Sequence, residues 1–109
     1  MKLVAAAIVS LVLGTVALRA QTGPSILFVG NSFTFGAGSA VKFYRADTVT
    51  DLNSEGIGGV PALFKSFTDQ AGLRYDVSLE TRGGSGLDFH LENKLGVIGQ
   101  RPWDVVVMH

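Results

Sequence analysis

Two largely apolar runs constrain this chain most: Ser25-Ile26-Leu27-Phe28-Val29, closed by Gly30, and Trp103-Asp104-Val105-Val106-Val107-Met108 after Pro102. A strand with one wet face alternates polar and apolar residues. A run without alternation is buried on both faces, as in a parallel sheet covered by helices. Tyr75, Val77, Leu79 and Thr81 do alternate, with Asp76, Ser78 and Glu80. This predicts a strand with one wet face, near a sheet edge.

Helical patterns separate these strands. Val60-Pro61 opens one, with proline at the first helical position and Val60, Leu63, Phe64, Phe67 and Ala71 on one face before Gly72. A second follows Arg82-Gly83-Gly84-Ser85-Gly86, with Ser85 and Asp88 as a capping box and Leu87, Leu91, Leu95 and Ile98 as its face. Residues 30–59, rich in Gly, Ser, Thr, Asn and Asp, suit a long loop with a short helical piece. The order strand, helix, strand, helix, strand predicts parallel pairing in spatial order 2-1-3. That is the start of a flavodoxin-like doubly wound α/β sheet with three α/β/α layers.

Residues 1–20 stand apart. Met1-Lys2 is followed by an almost wholly apolar stretch from Leu3 to Val16 and small residues at Ala17 and Ala20. This predicts a secretory signal peptide, cut after Ala17 or Ala20, and hence a secreted or periplasmic protein. The alternative is a membrane anchor, for which the run is short of the roughly 20 residues a span needs. Loss of Lys2 and Arg19 leaves seven basic against nine acidic residues, a net charge near −2 without a basic cluster. Nucleic acid and anionic membrane are therefore not expected partners. With no cysteine, neither disulfides nor a thiolate metal site is expected. Three strands are few for a free-standing sheet, and the last ends at the chain terminus, so residues 21–109 are expected to be the N-terminal part of a longer domain.

In a 2-1-3 sheet the ligand crevice lies beyond the carboxyl ends of strands one and three. Gly30-Asn31-Ser32-Phe33-Thr34, Arg82-Gly83-Gly84-Ser85-Gly86 and His109 converge there. Ser32, just past a buried strand, can present its hydroxyl to solvent; equally, Ser32 or Thr34 can cap the next helix. Gly83-Gly84 can bring a backbone N–H close to a ligand or simply form a turn. The first loop has neither the dinucleotide-binding glycine spacing nor the P-loop pattern. His90 and His109 are candidates for a base, though His90 reads rather as a packed or half-exposed helix residue. His109 reads either as a contact to substrate or Ser32, or as the first residue of a further loop. No His, Asp or Glu group has metal-ligand spacing.

Ile26 to Thr34, with Gly30-Asn31-Ser32, resembles the first block of the SGNH/GDSL hydrolase superfamily, where Asn31 stands in place of the more usual Asp. Thr81-Arg82-Gly83-Gly84-Ser85-Gly86-Leu87 is similar to the second block, and Trp103 to Met108 to the strand leading into the third. The resemblance implies an esterase for acyl or acetyl esters, in an exported protein those of carbohydrates. Ser32 would be the nucleophile. The N–H groups of Ser32 and Gly84 would form the oxyanion hole, and Asn31 and His109 would be candidate substrate contacts. No cofactor and no metal are implied. The family's third oxyanion donor and its catalytic Asp and His would lie beyond His109, leaving these 109 residues inactive alone. The alternatives are a non-catalytic carbohydrate- or ligand-binding module on the same scaffold, and a flavodoxin-like nucleotide binder.

Overall fold

The computed structural model of the protein describes residues 23–109, so the expected signal peptide lies outside the described residues. Four strands form one wholly parallel sheet: β1 (Ser25–Gly30), β2 (Thr50–Asp51), β3 (Asp76–Thr81) and β4 (Val105–Met108), in the order β2-β3-β1-β4. The three strands expected from the sequence, β1, β3 and β4, take the order 2-1-3. The two-residue β2, which the sequence did not disclose, extends the sheet beyond β3. β1 is central. It pairs with β3 from Ser25↔Asp76 to Gly30↔Thr81 and with β4 from Ile26↔Val105 to Val29↔Met108. The carboxyl ends of these three strands are thus level.

The period of two sorts β1 and β3 onto two faces. Ile26 and Phe28 join Val77, Leu79 and Ile57 in the core cluster, against which Phe35, Val49, Phe64 and Tyr75 pack. Helix α2 (Gly59–Gln70) supplies Phe64, whose ring meets Phe28 edge-on at 5.4 Å and Tyr75 at 5.0 Å. Leu27 and Val29 belong to the other face, with Ser78 and Glu80. There the one-turn-longer α3 (Leu87–Asn93) and the short α4 (Leu95–Ile98) follow β3.

Four expectations are corrected. β4, expected to be buried on both faces, is the outer strand of the sheet among the described residues: it pairs there with β1 alone, and Val105–Met108 are exposed. β3 is not the edge strand, because β2 pairs along it, and Ser78 and Glu80 of its polar set are buried (2% and 0% exposed), Glu80 against His90 of α3, while Asp76 stays exposed. The buried stripe of α2 is Gly59, Pro61, Ala62 and Ser66, while Val60 and Phe67 are exposed. Small residues win this face because the segment between β1 and α2 packs close: Ser66 Oγ accepts from Arg45 Nη1 at 3.3 Å and from Tyr44 Oη at 3.4 Å. Pro61 is also the third helical residue rather than the first. Finally, α3 has Gly86 as N-cap without a side-chain cap bond, and Ser85 Oγ instead donates to the Arg82 carbonyl at 2.7 Å. His90 is its buried residue, and Leu87, Leu91 and Leu95 are exposed.

The segment from residue 30 to 58 is more ordered than its composition suggests. It contains α1 (Ser32–Phe35), 3-10 turns at Ala40–Phe43 and Ala46–Thr48, and β2. Asp51 shapes the turn after β2, accepting from the N–H groups of Asn53, Glu55 and Ile57 at 2.9, 3.1 and 3.2 Å and so delivering Ile57 to the core. Among the described residues, no helix is long and apolar enough to cross a membrane.

Candidate functional site

The turn after β1 is specified residue by residue. Gly30 is required sterically, since a Cβ there would sit 2.0 Å from Thr34 Oγ1. Asn31, in extended conformation, is the N-cap of α1: its Oδ1 accepts from the Phe33 N–H at 3.1 Å. Its Nδ2 donates to the Ser85 carbonyl at 3.2 Å. Both ends of the Asn31 amide are therefore engaged with protein, and this residue, rather than Ser32 or Thr34, caps the helix. Gly36, left-handed at φ 75°, closes the single turn by donating to the Ser32 carbonyl at 2.9 Å.

Ser32 is the first residue of α1 and is half-buried. Its hydroxyl makes no hydrogen bond among the described residues, and its N–H has no acceptor among them. First-turn N–H groups lack an intrahelical acceptor, and the cap has satisfied that of Phe33 instead. Thr34 turns inward and is buried, whereas Phe33 is 77% exposed.

The glycine turn after β3 stands beside this one. Arg82 donates its N–H to the Gly30 carbonyl at 3.1 Å, which continues the β1–β3 ladder past Thr81. Together with the bond from Asn31 to Ser85, this ties the two turns at both ends. Gly84 is exposed with φ 67°, and open space surrounds the position of a Cβ. Its N–H also has no acceptor among the described residues. Gly83 lies near the ring of Phe35, 3.5 Å from a built Cβ.

His109 continues past β4, donating its N–H to the Val29 carbonyl at 3.0 Å. Its ring meets Phe33 edge-on at 6.1 Å. The two rings, with Phe28, Thr34, Val60 and Val107, line a cavity of about 230 Å³. Ser32 and Gly84 are not among its lining residues. Ser32, Gly84, Asn31 and His109 thus all lie at the carboxyl-end rim of the sheet. No histidine or carboxylate hydrogen-bonds to Ser32 among the described residues.

Beneath this rim is a polar cluster that sequence reasoning missed. Glu80 is fully buried and His90 is 2% exposed. The carboxyl Oε2 of Glu80 contacts His90 Nδ1, and its Oε1 accepts from Asn53 Nδ2 at 2.6 Å. Lys94 Nζ stands 3.8 Å from the same oxygen and donates to Asn53 Oδ1 at 3.0 Å. His90 Nε2 reaches the Gly30 carbonyl at 3.1 Å. A signal did exist: an acidic residue in a strand with neighbours on both sides must be paired if buried, and His90 lies ten residues further along the chain.

No family model matches this chain, and no curated protein and no solved structure is significantly similar to it.

Proposed function

We propose that the chain carries the nucleophile-bearing part of an exported SGNH/GDSL-type serine hydrolase on a flavodoxin-like, doubly wound three-layer sheet. Ser32 attacks the carbonyl carbon of an acyl or acetyl ester, in this setting one carried by a carbohydrate. One observation supports the reading above others. Among the described residues, the hydroxyl and N–H of Ser32 have no partner at the end of the central strand, beside a glycine turn whose Gly84 N–H also has none.

The chemistry is acyl transfer. A histidine held by a carboxylate takes the Ser32 proton as Oγ bonds to the carbonyl carbon. The tetrahedral oxyanion is held by the N–H groups of Ser32 and Gly84, each worth about 3 kcal/mol in the transition state. The histidine then protonates the departing alcohol, and water releases the acid from the acyl-enzyme. None of the described residues supplies that histidine–carboxylate pair to Ser32. The cavity lined there by Phe33 and His109 favours, as the second reading, a binding module that uses the same rim without turnover.

A fluorophosphonate probe separates the two on protein expressed from the complete reading frame. The hydrolase reading predicts covalent labelling at Ser32, lost in Ser32→Ala, with ester turnover falling by about a thousandfold or more. Absence of labelling in the wild type supports the binding module.

A further inference from the structure

We infer that His90 is a positioning residue for the Ser32 turn, clamping the Gly30 carbonyl from beneath; this rests on the reading of Ser32 as nucleophile. The Gly30 carbonyl belongs to the peptide that enters Asn31-Ser32. It accepts two hydrogen bonds, from the Arg82 N–H and from His90 Nε2, each at 3.1 Å. A carbonyl only accepts, so Nε2 carries the hydrogen, and Nδ1 is left to Glu80.

Glu80 fixes the ring. Its other oxygen is held by Asn53, and Asn53 Nδ2 also donates to the Thr81 carbonyl at 3.2 Å, at the register position opposite Gly30. Lys94 closes the cluster through Asn53. Burying a carboxyl–imidazole pair costs several kcal/mol in desolvation, and an apolar pair of equal volume fills space without that cost. What the polar pair supplies, and an apolar one does not, is a donor aimed at one carbonyl. That carbonyl opens the turn on which Ser32 stands. With Asn31 held to Ser85 above and Gly30 held to His90 and Arg82 below, the peptide planes on either side of the nucleophile turn have little freedom. Such rigidity is what presenting a hydroxyl within a fraction of an ångström requires.

Two variants separate positioning from packing. In His90→Gln the side-chain N–H₂ takes the place of Nε2–H and still reaches Gly30. In His90→Asn it takes the place of Nδ1 and reaches only Glu80. On protein from the complete reading frame, the fluorophosphonate labelling rate of Ser32, measured well below the melting transition, is expected to stay within about threefold of wild type in His90→Gln. It is expected to fall about tenfold or more in His90→Asn. Amide hydrogen exchange at Asn31, Ser32 and Phe33 should follow the same order, and nitrogen NMR should show a protonated Nε2 on His90. Equal rates in the two variants, or the reverse order, overturn the inference. If His90→Asn does not fold, His90→Gln decides alone, and slow labelling of that folded variant overturns it. Exchange reads the turn without any activity. Wild-type protein that fails to label while exchange keeps the expected order removes the hydrolase reading and leaves the clamp standing.

Discussion

Asn31 carries two duties in one side chain, and its variants should separate them. Asn31→Ala removes both the cap of α1 and the tie to Ser85, an expected loss of about 2 kcal/mol. Asn31→Asp keeps an oxygen for the Phe33 N–H but cannot donate to the Ser85 carbonyl, and should lose about half as much. Urea unfolding of the two variants checks the order; an alanine variant as stable as wild type would contradict the assignment. Tyr44 gives a second residue-level test. Ser66, whose hydroxyl turns to donate once the phenol has lost its proton, and then Arg45 stabilise the phenolate and hold the phenol below its ordinary value of 10.0. A group whose folded value is lowered contributes stability above its unfolded value, and that contribution disappears as pH falls through the folded value. Phenolate absorbance should show one tyrosine titrating early, and Tyr44→Phe should remove that step.

At the scale of elements, glycines mark where pieces meet. A Cβ on Gly59 would lie 2.8 Å from Phe35 Cα and from the Thr34 carbonyl oxygen, at φ 63°. Gly59→Ala should therefore push α2 away from α1 and cost about 2 kcal/mol or more. At Gly96, in α4, a Cβ meets nothing within 4 Å. Gly96→Ala should be neutral or stabilising by up to about 1 kcal/mol. Thermal melts of the pair check the contrast. The elements also show what patterning reveals. β1 was legible because a strand inside a parallel sheet must be apolar on both sides; the apolar run of β4 located that strand but misplaced it, since it lies at the exposed edge of the described sheet. The two glycine turns were legible because glycine punctuates a chain wherever it stands. β2 was not legible, since two residues carry no period and Thr50–Asp51 pairs only because Asp51 folds its own turn. The face of α2 was misread because Ala62 and Ser66 meet a loop whose path no helical period encodes. The face of β3 was misread because alternation looks the same whether Glu80 meets water or a buried histidine.

For the whole molecule, the controlling fact is that three strand ends are level, so turns whose bonded residues Asn31 and Ser85 are 54 apart in sequence meet at one rim. The rim segments that carry Ser32, Gly84, Asn31 and His109 could be placed from topology alone, while the choice of Gly84 and Asn31 within them came from the resemblance. The Glu80–His90 cluster under them could not, because it exists only once β3 and α3 are stacked against the end of β1. The account stands on the hydroxyl of Ser32 being the reactive group at that rim. The most direct measurement is intact-mass and peptide mapping of the complete-frame protein after fluorophosphonate treatment. A single adduct on the peptide carrying Ser32, absent in Ser32→Ala, is the predicted result. No adduct, or one that persists in Ser32→Ala, would contradict it.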